Sequence, residues 1–229
     1  MARALLDVDD LTAEELTTVL DRATDLKAAG GGEQPLEDRT LGMIFEKPST
    51  RTRVSFETGM TQLGGHAIFL GPDDIHLGHG EPLKDTARAV SRYVDFIMAR
   101  VFDHADVVEL GEYATVPVIN GLTDDAHPCQ TLADLLTIRE RFGGFDVDVA
   151  WVGDGNNVAQ SFVLGAAMAG IDLTVATPEG YGIDDDVLKR AAGLGGEPET
   201  THDPEAAVED ADVVYTDVWV SMGQEDQRE

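Results

Sequence analysis

The feature that most constrains the fold is a strand, a helix and a strand that follow one another within residues 41–70. Residues 41–45 form a short apolar run that ends before Pro48, and Ser49 is placed to cap a helix that should continue to about Leu63. A second apolar run over residues 66–70 follows. Two strands joined by a helix lie parallel in one sheet. The segment therefore predicts an α/β fold.

The helix start carries hydroxyls and arginines where acids are usually found. Its sequence is Ser49-Thr50-Arg51-Thr52-Arg53. Free backbone N–H groups and the positive end of the helix dipole should face the same volume as the hydroxyls and the Arg51 guanidinium. We expect an anion site suited to phosphate. The alternative is an ordinary capped surface helix with a charged first turn.

The same alternation continues along the chain. Helices are predicted over residues 10–28, 83–93, 107–113, 127–142, 158–169 and 184–192, with a short one from Pro204, and further strands over 96–99, 116–120, 147–152, 173–176 and 212–216. We predict an α/β protein of two domains, each with a central parallel sheet flanked by helices. Residues 1–126 form the first domain, 127–142 a linking helix, and 143–229 a Rossmann-like domain that lacks its C-terminal part.

Composition and charge limit the kinds of partner and the cellular compartment that fit this protein. Of the 229 residues 42% are hydrophobic and the net charge is −28, so the chain should fold but repel nucleic acid and anionic membranes. The acids are scattered, as in proteins from organisms with molar internal salt. Cys129 is the single cysteine, which excludes an intrachain disulfide and favours a reducing compartment. With no apolar leader or membrane-length run, a cytoplasmic location is expected.

Three polar residues stand where parallel sheets place ligands. Arg100 follows the strand over 96–99, and His127 and Gln130 flank the start of the helix over 127–142. A surface ion pair for Arg100 and a cap or core partner for His127 are the alternatives. His76 and His79 lack a third metal ligand at useful spacing, so no metal is predicted.

One turn resembles a dinucleotide-binding loop, namely Gly153-Asp154-Gly155-Asn156-Asn157. Val158 replaces the third glycine of that pattern, so we do not predict NAD binding and expect no cofactor.

Three separated segments together resemble the ornithine carbamoyltransferase family. They are Ser49-Thr50-Arg51-Thr52-Arg53, His127-Pro128-Cys129-Gln130 and Asp217-Val218-Trp219-Val220-Ser221-Met222-Gly223, and the resemblance covers essentially the whole chain. It implies transfer of a carbamoyl group from carbamoyl phosphate to the δ-amine of ornithine, in arginine biosynthesis or degradation, without a cofactor and in a homotrimer or a multiple of it.

The resemblance also implies roles for individual residues. The carbamoyl phosphate contacts would be Ser49, Thr50, Arg51, Thr52, His76, Arg100, His127 and Gln130, of which Arg51, Arg100 and His127 would be catalytic. His76 stands where the family commonly has a glutamine that reaches from a neighbouring subunit. The ornithine contacts would be Asn157, Asp217, Ser221 and Met222.

The family also carries a later segment with a His-Cys-Leu-Pro motif, which does not occur in this sequence. If the polypeptide ends at Glu229, we expect little activity. Alternatives are a non-catalytic phosphate-binding or assembly module, and a carbamoyltransferase with another amine acceptor. Aspartate carbamoyltransferase shares the phosphate half but would need arginines for its dicarboxylate.

Overall fold

The structure is a computed structural model that describes residues 2–30, 32–72 and 81–218. These residues form two compact units. The first contains the residues up to Leu11 together with Thr17–Cys129, and the second contains Thr12–Leu16 together with the residues from Gln130 onward. No helix within the described ranges has both the length and the apolar character needed to cross a membrane.

Strands and helices alternate along the chain. The strands are β1 (Ala4–Leu5), β2 (Thr40–Phe45), β3 (His66–Leu70), β4 (Phe96–Arg100), β5 (Val118–Leu122), β6 (Asp148–Val152), β7 (Asp172–Ala176), β8 (Glu199–Thr201) and β9 (Val213–Tyr215). The helices are α1 (Ala13–Ala29), α2 (Thr50–Gln62), α3 (Leu83–Val90), α4 (His104–Tyr113), α5 (Pro128–Phe142), α6 (Asn157–Ala169), α7 (Asp185–Leu194) and α8 (Pro204–Val208).

The first unit is built on a five-stranded sheet in the order β1-β5-β4-β2-β3, and every adjacent pair is parallel. Side chains of β2 alternate between its faces, as the pleat requires. Ile44 packs in one buried cluster with Ile97 and Leu110. Met43 and Phe45 pack in a second cluster, which includes Met60 of α2. The sheet is therefore covered on both faces, and the predicted parallel α/β fold is confirmed.

The second unit contains a four-stranded sheet in the order β8-β7-β6-β9, also parallel throughout. Helix α6 is buried from Val158 to Ala167, which explains its almost continuous apolar sequence. The Tyr215 ring meets Trp151 and Phe162 edge-on, at centroid distances of 4.7 and 5.1 Å. This aromatic cluster fixes the end of β9 against the sheet and α6.

Some sequence predictions were wrong in detail. Strand β5 begins at Val118, two residues after the predicted start, and extends through Gly121 to Leu122, beyond the predicted end at residue 120. Helix α3 ends three residues earlier than predicted, and α4 begins three residues earlier because the Asp103 side chain caps it. Val19 of α1 is 38% exposed, although Leu16 and Leu20 of the same helix are buried. Strands β1 and β8 were missed because two or three residues show no periodicity.

Each sheet contains one point where the strand order reverses. In the first sheet the chain moves from β2 to β3 and then crosses back to β4 on the other side of β2. In the second it moves from β6 through β7 to β8 and then returns to β9 beside β6. Loops that leave a reversal point diverge and form a crevice at the carboxyl ends of the strands, where α/β sheets bind ligands.

Candidate functional site

The reversal point of the first sheet holds the start of α2. Ser49 caps this helix from an extended conformation, and its oxygen accepts a hydrogen bond from the backbone N–H of Thr52 at 3.3 Å. The Ser49 hydroxyl donates in turn to the Thr52 hydroxyl oxygen at 3.0 Å. No acid occupies the first turn of α2. The positive end of the helix is thus lined by hydroxyls in place of carboxylates.

Arg100 reaches this helix start from the neighbouring strand. It ends β4, lies opposite Phe45 of β2 and is only 4% exposed. Its Nη1 donates to the Thr52 hydroxyl oxygen at 3.4 Å, a long and weak hydrogen bond. The Arg100 carbonyl oxygen accepts from the backbone N–H groups of Glu46 and Lys47. Strand pairing therefore fixes the guanidinium against α2.

The charge balance around Arg100 favours an anionic ligand. Burial and the positive charge of Arg51 hold the pKa of the Arg100 guanidinium below its usual value. Within the described ranges, neither arginine has a carboxylate within salt-bridge distance, and Nε of Arg100 is buried without a hydrogen-bond partner. A buried cation is costly when no anion compensates it. This position is suited to a group that brings its own negative charge.

Arg53 differs from Arg51, although the two stand in one turn. Its guanidinium lies over the Phe69 ring at 3.8 Å from the centroid, and Nε pairs with Glu57 Oε1 at 2.9 Å. Among the described residues, Arg53 has an acidic partner and Arg51 has none within salt-bridge distance.

His127 stands just before α5 in the first unit. Burial and the charge of Arg100 lower the pKa of its imidazole to about 4. The ring is therefore neutral at pH 7, with one nitrogen that donates and one that accepts. A neutral imidazole near Arg100 can donate a hydrogen bond to a carbonyl oxygen without adding another positive charge.

Sequence reasoning missed a polar network that connects the loops after β2, β4 and β5. Lys47 is 6% exposed, and its Nζ pairs with Asp124 Oδ1 at 2.7 Å. Glu46 Oε2 accepts from the Phe102 N–H at 3.0 Å, and the Asp124 N–H donates to the Phe102 carbonyl at 2.9 Å. The sequence signal that could have revealed this network is the presence of charged residues directly after a buried strand. The network holds the loops that surround the α2 start.

The reversal point of the second sheet holds an asparagine and an aspartate. Asn156 caps α6, and its Oδ1 accepts from the N–H groups of Val158 and Ala159 at 3.0 and 3.1 Å. Its Nδ2 donates to Asp217 Oδ2 at 2.9 Å. The Asp217 carboxylate, just beyond β9, is thereby oriented by a residue that we did not predict. The predicted Asn157 is the first residue of α6.

A second carboxylate of this unit lies between two hydrogen-bond donors. Asp134 Oδ1 accepts from Gln130 Nε2 at 2.9 Å, and Asp134 Oδ2 accepts from the Tyr215 hydroxyl at 2.7 Å. Burial raises the pKa of the Asp134 carboxyl, and the two hydrogen bonds oppose that shift. Burial and Asp134 raise the pKa of Tyr215 as well. Asp134 and Tyr215 were not among the predicted site residues.

The structure places the predicted residues in two groups. Thr52, Arg51, Arg100 and His127 come together in the first unit, with Ser49 and Thr50 at the same helix start. Gln130, Asn157 and Asp217 belong to the second unit. His76, Ser221 and Met222 lie outside the described residues.

Neither a metal-ligand cluster nor an activated thiol is found in the described part of the chain. The residues of that part contain no group of three or more His, Cys, Asp and Glu side chains that could hold a metal ion. Cys129 donates to the Asn120 carbonyl oxygen, and burial raises the pKa of its thiol to about 12. A thiol with that pKa is a poor nucleophile at neutral pH.

Two family models match the chain. The model described as "Aspartate/ornithine carbamoyltransferase, carbamoyl-P binding domain" matches residues 3–140, and "Aspartate/ornithine carbamoyltransferase, Asp/Orn binding domain" matches residues 146–229. The first match includes the α2 start, Arg100 and His127, and the second includes Asn156 and Asp217.

Individual relatives agree with these matches. The ornithine carbamoyltransferase of Haloquadratum walsbyi is 71% identical over 224 residues, which cover 97% of this chain and 74% of the relative. The anabolic ornithine carbamoyltransferase of Pyrococcus furiosus is 56% identical over 235 residues, which cover 99% of this chain and 75% of the relative. The chain thus spans about three quarters of the length of each.

Solved structures show the same fold. Ornithine carbamoyltransferase from Pyrococcus furiosus aligns with a TM-score of 0.92 at 55% identity, over 98% of this chain and 74% of that one. The anabolic enzyme from Campylobacter jejuni aligns with a TM-score of 0.93 at 40% identity, over 100% of this chain and 76% of that one. The resemblance seen in three sequence segments is confirmed, and the chain belongs to the ornithine carbamoyltransferase family.

Proposed function

We propose that this chain transfers the carbamoyl group of carbamoyl phosphate to the δ-amine of L-ornithine, which gives L-citrulline and phosphate. The observation that carries the proposal is the buried Arg100, which lies beside the α2 start and Arg51 with no carboxylate in pairing distance in the described ranges. Such a cluster binds an anion, and the family's substrates supply a phosphate.

Carbamoyl phosphate would bind mainly through residues of the first unit. The α2 start with Ser49, Thr50, Arg51 and Thr52 would hold the phosphate, where guanidinium groups bind two oxygens at once. Arg100 and His127 would serve both the phosphate and the carbonyl oxygen. Gln130 and His76 would complete the contacts to carbamoyl phosphate.

Ornithine would use the second unit, through Asn157, Asp217, Ser221 and Met222. The Asp217 carboxylate attracts a cationic amino group, and its hydrogen bond from Asn156 fixes the direction from which that group is held. A cationic amino acid fits this acidic site better than aspartate, which would need arginines at the same place.

The chemistry needs charge stabilisation and no covalent intermediate. The free δ-amine attacks the carbamoyl carbon, and negative charge develops on the carbonyl oxygen. The carbon–oxygen bond to phosphate then breaks with its electron pair on the phosphate, which takes up the proton that the amine nitrogen loses. His127 and Thr52 can donate to the carbonyl oxygen, while Arg51 and Arg100 stabilise the leaving phosphate. Since only the unprotonated amine is a nucleophile, the rate should rise with pH.

We extend the proposal to the domain bounds, the metabolic role, the assembly and the location of the protein. We place the carbamoyl phosphate domain at residues 1–126, a linking helix at 127–142 and the ornithine domain at 143–229, without a cofactor. A biosynthetic role follows the Pyrococcus furiosus relative, which is named anabolic. We further propose a cytoplasmic homotrimer, or a multiple of it, adapted to high salt.

Replacement of Arg51 tests the phosphate site. A bisubstrate mimic that carries a phosphonate and an ornithine moiety should bind the Arg51→Ala variant about 100-fold more weakly, because a charge-assisted bidentate contact is lost. Isothermal titration calorimetry measures the affinity.

The matched control is Arg53→Ala. Arg53 is in the same turn but is already paired with Glu57 and stacked on Phe69, so mimic affinity should be unchanged. Unchanged affinity in Arg51→Ala would remove Arg51 from its role. Citrulline formation from carbamoyl phosphate and ornithine separates the enzyme from a non-catalytic phosphate-binding module.

A further inference from the structure

The Asp134 side chain connects a predicted substrate residue to the sheet. On α5 it lies one turn after Gln130, whose Nε2 donates to Asp134 Oδ1 at 2.9 Å. Its other oxygen accepts from the Tyr215 hydroxyl at 2.7 Å. Tyr215 cannot shift easily, since its ring packs edge-on against both Trp151 and Phe162. The carboxylate is therefore held in one orientation from the β9 side.

A carboxylate in this position determines which end of the Gln130 amide it meets. An ionised carboxylate only accepts hydrogen bonds, and an amide offers an NH₂ donor at one end and a carbonyl acceptor at the other. Asp134 consequently takes the NH₂ end. The carbonyl oxygen, Oε1, is left as the group that Gln130 can present to a ligand. An asparagine at position 134 would lack this preference, because its amide can both donate and accept.

We propose that Asp134 is a positioning residue that turns the Gln130 carbonyl oxygen toward the substrate, and so makes the site select an acyl phosphate that carries an amino group. The inference rests on the proposed function, in which Gln130 contacts carbamoyl phosphate. The NH₂ group of carbamoyl phosphate donates to Oε1. Tyr215 supports this role because its hydroxyl donates to the second oxygen of Asp134 and fixes the carboxylate.

Acetyl phosphate is the natural probe of this selection. It matches carbamoyl phosphate in shape and charge but has a methyl group where the substrate has NH₂. A methyl group cannot donate, so Oε1 would lose its partner on binding. The wild-type protein should therefore bind carbamoyl phosphate at least about tenfold more tightly than acetyl phosphate.

The test compares dissociation constants of carbamoyl phosphate, acetyl phosphate and inorganic phosphate in the wild-type and Asp134→Asn proteins. The variant should lose about tenfold in the ratio between the two acyl phosphates, while its affinity for inorganic phosphate stays constant. A merely structural role would weaken the binding of all three ligands together and leave the ratio unchanged, which would overturn the inference.

Should Asp134→Asn fail to fold, Tyr215→Phe is the second variant, because it keeps the ring packing and removes only the hydroxyl. The ratio should fall in this variant too, and an unchanged ratio would refute the proposal.

A double-mutant cycle shows whether Asp134 acts through Gln130. Gln130→Ala alone should abolish the discrimination, and Asp134→Asn should have no further effect on the ratio in that background. Independent, additive effects of the two changes would overturn the inference. A wild-type protein that binds both acyl phosphates equally would refute the proposed role of Gln130 and with it that of Asp134. Discrimination that is lost in Gln130→Ala but kept in Asp134→Asn would refute Asp134 alone.

Discussion

His127 shows how one partly buried side chain makes stability depend on pH. Its imidazole has a pKa of about 4, lowered from 6.5 by burial and by Arg100. Between these two values the unfolded chain binds a proton that the folded chain does not. The free energy of unfolding contributed by this group is therefore complete above pH 6.5 and is lost as the pH falls toward 4.

Replacement of His127 by glutamine should remove this contribution. The wild type should lose up to about 3 kcal/mol more stability than His127→Gln between pH 7 and pH 4. Urea unfolding of both proteins across that range measures the effect. Many carboxylates titrate there, so only the difference between the two curves is informative. A constant difference would show that His127 titrates alike in both states.

The residues that sequence reasoning found and missed differ in how far apart their partners lie. Ser49 and its role as a helix cap can be recognised locally, since its partner Thr52 is three positions away. Asp134 acquires its role from Tyr215, which lies 81 positions further along the chain. Asn156 is likewise defined by Asp217, 61 positions away. Periodicity and capping rules carry no information about such pairings.

At the level of elements, helix α6 packs so closely on α5 that one of its glycines is required. A Cβ atom on Gly165 would collide with the Thr131 methyl group and lie 3.3 Å from Leu135 Cδ1. Thr131 and Leu135 are both fully buried and cannot move aside easily. The close approach of the two helices, which the sequence did not reveal, depends on the missing side chain.

Alanine at position 165 should therefore destabilise the protein even though alanine favours helices. Overpacking costs about 1–3 kcal/mol, which outweighs a gain in helix propensity of about 1 kcal/mol. Gly59→Ala in α2 is the matched control, because no neighbouring atom lies within 4 Å of its Cβ position. That change should stabilise by up to about 1 kcal/mol. Thermal unfolding of the wild type and both variants measures these changes. A Gly165→Ala protein more stable than the wild type would contradict the packing argument.

Element types were easier to predict than element bounds. The apolar run of β2 and the cap of α2 agree with the sequence expectation, since both signals are local. Strand β5 was displaced because its end is set by pairing with β4, where Leu122 lies opposite Arg100 after an irregularity in the register. The cap of α4 is a local signal of the same kind, since Asp103 Oδ1 accepts a hydrogen bond from the Ala105 N–H two positions away.

For the whole molecule, the dominant property is its charge of −28. At low ionic strength the acids repel one another in the compact state, whereas molar salt screens them over a few ångströms. We expect the unfolding temperature to rise by about 10 °C between low salt and molar KCl. The control is a series of sorbitol solutions with the same osmolality as the KCl solutions. Sorbitol is uncharged, so it shows how much of the stabilisation comes from solute exclusion and not from screening of charge. Equal stability with and without KCl would contradict this prediction.

The position of β1 has a consequence for how the chain is made. Ala4 pairs with Val118, and the Asn120 side chain donates to the Leu6 carbonyl, 114 positions earlier. A ribosome delivers β1 before the other strands of this sheet, yet β1 has no place in the sheet until β5 has emerged. Closure of the first sheet therefore waits for residues that are synthesised after β2, β3 and β4, and the strand made first is the last to be secured.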